Sequence, residues 1–251
     1  MKAPKEWWKR FFDPAFYTPA SRDGLARAGA EARFIRRVLG LRRGAAVLDL
    51  CCGPGRHSLP LARLGLSVTG LDISVPYLLE ARAKARKLRL RARFVHGDMR
   101  RVPFRGEFDA ALCMFTSFGY FERLSDELKV LRGVARALKP GGRFLIDVVD
   151  RRWLARNWTP KDWHFLDDGG FLLEERSADS ARRRTQVRWV RVFPDGGSME
   201  RSFSLRQYDA AELSALLRNA GLRPLKAWGD FDGSRPNAAT RRIILLSKKP
   251  G

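Results

Sequence analysis

The spacing of hydrophobic residues differs between two parts of the chain. Between residues 45 and 150, short uninterrupted apolar runs alternate with segments of helical spacing. The apolar runs are AAVLDL, SVTGLDI, RARFVHGD, EFDAALCMF and RFLIDVVD. Each run has the length of a strand and lacks polar alternation, which is typical of a strand buried on both faces. Such strands separated by helices predict a parallel sheet that is covered by helices on both sides.

The helices between these strands carry recognisable boundary signals. Ser74, followed by Pro76, predicts the start of a helix over PYLLEARAKARKL. Another helix is predicted to begin near Ser125 and to end before Pro140, because proline cannot continue a helix.

After Asp150 the spacing changes to alternation of apolar and polar residues. The segment FLLEERSADSARRRTQVRWVRVFPDGGSMERSFSLRQY predicts an antiparallel meander of about three strands with one solvated face. A helix is then predicted to begin after Asp209 as N-cap, because Glu212 follows three residues later in the pattern of a capping box. Two final strands, LRPLKAWGDF and RRIILLSKK, bring the main sheet to seven. The prediction is an α/β fold with a small antiparallel β insertion after the fifth strand.

Composition narrows the class of protein. The 251 residues carry a formal net charge of +22, but the basic residues are scattered, and the one dense stretch runs from Arg82 to Arg93. A solvated basic surface is favoured, and an RNA-contacting surface stays open as the alternative. No apolar run reaches the length of a membrane span, and the start MKAPKEWWKRFF does not resemble a signal peptide, so we expect a cytoplasmic protein. Three cysteines without CxxC spacing predict neither a disulfide scaffold nor a metal site.

The glycine-rich turn in VLDLCCGPGRHS is the first candidate for a ligand site. It follows the first predicted strand and precedes a helix, where main-chain N–H groups point outwards. Gly53 and Gly55 let the main chain approach a ligand closely. Ser58 stands where the dinucleotide pattern requires a third glycine, and the lysine of a Walker loop is missing.

Three acids lie at or near the ends of three successive strands. Asp49 lies just before the glycine turn, Asp72 ends the second strand and Asp98 follows the third. Because the carboxyl ends of parallel strands share one edge of a sheet, we expect these carboxylates to face a common ligand.

Four motifs together resemble those of class I S-adenosylmethionine-dependent methyltransferases. They are DLCCGPG after the first strand, GLDIS at the second, GDM after the third and LKPGG before the fifth. The resemblance covers about residues 31–150 and implies a Rossmann-like, doubly wound sheet of seven mostly parallel strands with the last strand antiparallel. Cys51 departs from the family by occupying its first glycine position, which predicts that Cys51 and Cys52 are small packing residues.

The resemblance implies S-adenosylmethionine as cofactor and S-adenosylhomocysteine as product. Asp49 and the main chain at Gly53 and Gly55 would hold the methionine end, and Asp72 would bind the ribose hydroxyls. The remaining residues expected at the cofactor are Ile73 against the adenine, Asp98 at its amino group, Met99 over its face, and Phe115, Tyr17 and Cys51 lining the pocket.

Signals for the methyl acceptor are weaker. The segment CMFTSFGYF lacks the [DN]PP[YF] motif of adenine and glutamine N-methyltransferases, and Cys113 lacks the preceding proline of RNA cytosine-C5 enzymes. The same segment lacks the acidic cluster that a metal-dependent O-methyltransferase would have there. His164 and Tyr120 are the candidate catalytic residues, whereas His57 and His96 are expected to be structural.

The predicted domains are an N-terminal helical cap over the cofactor site (residues 1–40), a methyltransferase domain (41–150 and 208–251) and an insertion (151–207). The insertion would form a lid on the acceptor side or a dimer contact, as in aminosugar N,N-dimethyltransferases, and a monomer or a homodimer is expected. The favoured function is methyl transfer to a nitrogen or oxygen of a small molecule, with no membrane partner. Two alternatives stay open: an RNA or protein methyltransferase, and a cofactor-binding protein without transferase activity.

Overall fold

The structure is a computed structural model that describes residues 7–17 and 22–251. Its helices are α1 (Trp8–Phe11), α2 (Arg22–Val38), α3 (Ser58–Arg63), α4 (Val75–Lys87), α5 (Leu124–Ala137), α6 (Arg151–Arg156) and α7 (Ala210–Asn219). Its strands are β1 (Ala46–Leu50), β2 (Ser67–Asp72), β3 (Ala92–His96), β4 (Phe108–Cys113), β5 (Leu138–Val149), β6 (Lys161–Phe165), β7 (Phe171–Asp179), β8 (Arg184–Val192), β9 (Ser198–Arg206), β10 (Arg223–Trp228) and β11 (Arg242–Lys248). Residues 1–6 and 18–21, which belong to the predicted N-terminal cap, lie outside the described residues.

Seven strands form the main sheet in the order β10-β11-β5-β4-β1-β2-β3. Strand β1 pairs in parallel with β2 and β4, while β11 runs antiparallel to both β5 and β10. The predicted α/β fold, with mostly parallel strands and an antiparallel last strand, is confirmed.

Helices cover both faces of this sheet, which explains why its strands are apolar throughout. Leu48 and Leu50 of β1 pack in a core with α5 and α7. Val47 packs on the opposite face with α2 and α3. The side chains of a strand alternate between its faces, so a strand covered on both sides buries every position.

Two helix starts have the caps that the sequence predicts. The Ser74 hydroxyl accepts a hydrogen bond from the Tyr77 N–H at the start of α4, and Asp209 and Glu212 form a reciprocal capping box at α7. Helix α5 begins at Leu124, one residue before the predicted position. Within the two described ranges, no helix is long and apolar enough to cross a membrane.

The insertion contains a sheet of four antiparallel strands in the order β6-β7-β8-β9 (the small sheet). The three strands predicted from the alternating segment are confirmed as β7, β8 and β9, and a fourth strand, β6, precedes that segment. The missed strand, β6, has the sequence KDWHF and lies at the edge of the sheet, where most of its side chains are exposed. An exposed edge strand does not require alternation of apolar and polar residues, so the pattern gave no signal for it.

The aromatic segment before α2 joins the small sheet to the rest of the protein. Trp7, Phe11 and Phe16 form a buried cluster with Val187 of β8 and Phe203 of β9. In contrast, helix α2 packs on the main sheet, where its residues Phe34, Ile35 and Leu39 are buried. The segment of residues 7–17 and helix α2 thus contact different parts of the molecule.

A buried carboxylate lies in the first turn of α5. Glu127 has no exposed surface, and its Oε1 accepts a hydrogen bond of 3.1 Å from the Phe121 N–H. Its Oε2 has no hydrogen-bond partner among the described residues. Burial raises the pKa of Glu127 to about 7, although the positive charges of Arg184 and Arg206 oppose this shift; Tyr208 also faces it.

Replacing Glu127 by Gln is expected to remove a pH dependence from the free energy of unfolding. Because the pKa in the folded protein is about 7, above the ordinary value of 4.5, the folded state retains a proton that the unfolded chain loses. That stabilisation is complete below about pH 4.5 and is lost as the pH rises through about 7. Over this range the wild type should lose up to about 3 kcal/mol relative to Glu127→Gln. Urea unfolding at a series of pH values measures the difference, and parallel profiles for the two proteins would contradict it.

Candidate active site

A cavity opens at the carboxyl ends of β1, β2 and β4, beside the residues that follow β3. It encloses about 1060 Å³ when the space at its mouth is included. Ten of the predicted site residues line it: Tyr17, Asp49, Cys51, Gly53, Asp72, Ile73, Asp98, Met99, Phe115 and Tyr120. The sequence therefore identified residues that the fold brings together, although they come from five separate segments.

Three carboxylates, Asp49, Asp72 and Asp98, form what we name the floor of the cavity, and the first two are buried. Asp49 is 1% exposed and accepts a hydrogen bond of 2.5 Å from the Ser58 hydroxyl. Asp72 accepts hydrogen bonds of 2.8 Å from the N–H groups of Gly53 and Ser74, one on each oxygen. Burial raises the pKa of both carboxyls, because a charged group loses hydration in the interior. A cationic or hydroxyl-bearing ligand would compensate for this loss.

The glycine turn bends sharply over the end of β2. The N–H groups of Cys51 and Cys52 both donate to the carbonyl of Leu71, at 2.7 and 3.2 Å. Cys51 has φ +60°, in the left-handed region that favours glycine. This strain accounts for the glycine that the family has at this position.

Gly55 does not line the cavity, contrary to the expectation that its main chain holds the cofactor. It has φ +86°, and a Cβ placed there would lie 3.0 Å from Leu59 and 3.5 Å from Ala81. Gly55 therefore lets the chain turn and lets α3 approach α4.

The adjacent cysteines fill space around this turn. A Cβ at Gly70 would lie 2.6 Å from the Cys52 sulfur, so a residue without a side chain at Gly70 makes room for the thiol. The Cys51 sulfur lies 3.3 Å from the Met99 sulfur. A hydrogen bond with Cys113 and burial raise the pKa of Cys51, and burial raises that of Cys52. Both thiols are therefore protonated at neutral pH.

Asp98 is held by an arginine that the sequence analysis missed. The Arg100 main-chain N–H and guanidinium both donate to its carboxylate, at distances from 2.5 to 3.1 Å. Burial opposes ionisation, but these bonds outweigh it and lower the pKa of Asp98. The Arg100 guanidinium also lies 5.1 Å from the Trp8 ring centroid and 4.8 Å from that of Phe121.

A second group that the sequence analysis did not connect joins α2 to the cavity. Arg56 and His57, which both line it, contact Glu31 at 2.8–2.9 Å. Burial opposes ionisation of Glu31, but the hydrogen bonds from His57 and Arg56 lower its pKa to about 2. Glu31 lies on α2, 25 residues before Arg56 in the turn that follows β1, so no local pattern indicates this contact.

Phe115 is held in an unusual conformation at the cavity. Phe115 and Thr116 have φ +60° and +57°, and their N–H groups donate to the side chain and the carbonyl of Asp147, respectively. The Phe115 ring contacts two guanidinium groups, with Arg56 4.4 Å and Arg242 4.9 Å from its centroid. Asp147, which also accepts from Arg242 at 2.8 Å, thus fixes the loop that presents Phe115.

Five further rings form what we name the aromatic wall of the cavity: Trp8, Phe12, Tyr17, Tyr120 and Phe121. The first three belong to the segment of residues 7–17, whose Tyr17 carbonyl accepts a hydrogen bond from the Tyr77 hydroxyl. Burial raises the pKa of Tyr17 to about 12 and that of Tyr120 further. These phenols are protonated at neutral pH, so Tyr120 is poorly suited to act as a base.

The structure does not bring His164 to the cavity, which corrects the expectation that it faces the reaction site. His164 lies on the edge strand β6 with about half of its side chain exposed, and its nearest carboxylate is Asp162 at 3.7 Å. The neighbouring aromatic residues of β6, Trp163 and Phe165, are also exposed.

Comparison with known proteins agrees with this arrangement. A family model described as a methyltransferase domain matches residues 47–142. The chain is 34% identical over 185 residues to the dTDP-3-amino-3,6-dideoxy-alpha-D-glucopyranose N,N-dimethyltransferase of Streptomyces fradiae. The matched region covers 69% of this chain and 70% of that protein.

Two solved structures share the whole fold. The CcbJ methyltransferase from Streptomyces caelestis aligns with a TM-score of 0.79 at 22% identity, over 97% of this chain and 96% of that one. An S-adenosylmethionine-dependent methyltransferase from Clostridium acetobutylicum has a TM-score of 0.79 at 23% identity, over 91% and 96% of the two chains. Three observations agree: a methyltransferase domain matches the chain, its sequence is similar to most of the Streptomyces fradiae protein, and its fold is that of the two solved structures. This chain therefore belongs to the class I S-adenosylmethionine-dependent methyltransferases.

Proposed function

We propose that this enzyme methylates a small molecule at an amine nitrogen. The observation that carries the proposal is the composition of the cavity, whose lining combines an acidic floor with an aromatic wall. A partly enclosed, mostly apolar cavity with a few polar groups is typical of a small-molecule site.

The floor fits the cofactor of the family. When bound, S-adenosylmethionine supplies a methyl group on a positively charged sulfonium. Asp49 and Asp72 are buried carboxylates without an ion-pair partner among the described residues, which suits a ligand that carries an ammonium and hydroxyl groups. The same two acids would disfavour the pyrophosphate of a dinucleotide.

Each floor residue has a specific capacity for binding. Asp72 uses one lone pair of each oxygen for the Gly53 and Ser74 N–H groups, and the remaining lone pairs can accept two ribose hydroxyls. Asp49 would accept from the ammonium of the methionine end. Asp98 keeps its charge through Arg100 and would accept from the adenine amino group, with Ile73 and Met99 against the ring.

The aromatic wall favours nitrogen over oxygen because its titratable groups, the phenols of Tyr17 and Tyr120, are protonated at neutral pH. The described titratable groups that line the cavity, other than the floor acids, are protonated phenols, protonated thiols and the Arg56–His57 pair bound to Glu31. A hydroxyl acceptor must lose a proton to become a good nucleophile, whereas a neutral amine already has a free lone pair. Apolar surroundings also favour the neutral form of an amine.

The similarity to the Streptomyces fradiae protein supports this choice, since that relative is named as an N,N-dimethyltransferase of an aminosugar. We assign residues 7–17 and the insertion of residues 151–207 to a lid that excludes water and orients the acceptor. The enzyme would work in the cytoplasm, where unpaired cysteines such as the three described here are usual.

Acceptor pools provide the test of the proposed function. The protein is incubated with S-adenosylmethionine and either pooled small amines, matched pooled alcohols and phenols, or total RNA, and methylated products are identified by mass spectrometry. We expect products from the amine pool that persist as salt is raised. Products confined to hydroxyl compounds would contradict the choice of nitrogen. Methylated RNA, formed in a reaction that weakens steeply with salt, would contradict a small-molecule acceptor.

The role of Asp72 predicts a specific loss of cofactor affinity. Asp72→Ala should weaken S-adenosylhomocysteine binding about ten- to 150-fold, because bonds from two hydroxyls to a carboxylate are lost. Asp179→Ala is the matched control, since Asp179 also accepts a main-chain N–H, from Arg182 at 3.1 Å, but lies on β7 away from the cavity. Calorimetric titration measures both variants. An Asp72→Ala protein that binds as tightly as the control would refute the ribose contact.

A further inference from the structure

The loop between β4 and α5 carries part of the aromatic wall, and its main chain is bound by a buried arginine of the small sheet. We name residues 117–122 the wall loop. The Arg184 guanidinium donates to three consecutive carbonyls of this loop: Phe121 at 2.8 Å, Tyr120 at 3.2 Å and Gly119 at 3.4 Å. Tyr120 and Phe121 are the two residues of the loop that belong to the aromatic wall.

Arg184 is itself fixed within the small sheet. It is 5% exposed, and it donates to the hydroxyl and the carbonyl of Ser204 on β9 at 2.7 and 2.9 Å. The Arg206 main-chain N–H adds a bond of 2.7 Å to the Gly119 carbonyl. The small sheet therefore holds the carbonyl side of the wall loop.

Helix α5 holds the loop from its N–H side. Glu127 is fully buried and accepts the Phe121 N–H at 3.1 Å. When Glu127 is ionised, its negative charge also interacts with the Arg184 guanidinium and offsets part of the cost of burying that cation. The main chain at Phe121 is thus bound in both directions, by its carbonyl to Arg184 and by its N–H to Glu127.

The chemistry of this contact requires an arginine. A planar guanidinium has five N–H donors in a fixed arrangement and can bind several carbonyls at once. A lysine ammonium is a compact charge on a flexible chain and cannot reproduce that set of bonds.

We propose that Arg184 and Glu127 form a clamp that positions Tyr120 and Phe121 in the cavity, so that the small sheet determines the shape of the site. Both are positioning residues, because neither lines the cavity. A contact of Tyr120 and Phe121 with the methyl acceptor rests on the proposed function. Their position in the lining of the cavity is observed and does not depend on it.

Arg184→Met tests the clamp against a matched control, Arg188→Met. Arg188 lies on the same strand, but its ion pairs join Glu175 and Glu200 within the small sheet. Hydrogen exchange of the peptide over the wall loop and calorimetric S-adenosylhomocysteine binding are measured for each. In Arg184→Met we expect wall-loop exchange about tenfold faster and cofactor affinity several-fold lower, with β5 still protected. Arg188→Met should match the wild type in both.

Two outcomes would overturn the clamp. In the first, the wall loop of Arg184→Met exchanges hydrogen at the wild-type rate while β8 and β9 become less protected. Arg184 would then stabilise the small sheet only. The other is an equal change in Arg188→Met. If Arg184→Met does not fold, Arg184→Lys takes its place and should give intermediate wall-loop protection, and full protection would overturn the proposal. Neither measurement uses a methyl acceptor. A negative result would therefore contradict the clamp and would not bear on the proposal of an amine acceptor.

Discussion

The contact between the Asp72 carboxylate and the Gly53 N–H, 2.8 Å long, is the interaction on which the site depends. It ties the glycine turn after β1 to the end of β2, and the second oxygen of Asp72 binds the Ser74 N–H at the start of α4. Three elements therefore meet at one buried charge. The folded protein bears the cost of that burial, and a ligand with hydroxyl groups and a positive charge recovers part of it.

The cavity has two structural origins. Its floor comes from the parallel sheet, whose strands end at one edge and bring Asp49, Asp72 and Asp98 together. Its aromatic wall comes from the segment of residues 7–17 and the wall loop, both of which the small sheet holds by ring packing and by the Arg184 hydrogen bonds. The floor and the aromatic wall are therefore supported by different parts of the fold.

The floor could be predicted from sequence because its signals are local. Asp49, Gly53 and Asp72 lie at strand ends that apolar runs mark in the sequence, and a parallel sheet places those ends side by side. The contacts of Arg56 with Glu31 and of Arg184 with the wall loop join distant segments, and no spacing rule links them. His164 was wrongly expected at the site because the strand that carries it, β6, is an exposed edge strand without alternation of apolar and polar residues, so the sequence does not indicate which way its side chains face.

A crystal structure of the protein with S-adenosylhomocysteine would show directly whether Asp72 binds the ribose of the cofactor. We expect that both ribose hydroxyls bind the Asp72 carboxylate, while the sulfur faces the space beside the aromatic wall. A nucleoside bound elsewhere, or a ribose turned away from Asp72 towards a basic side chain, would contradict it.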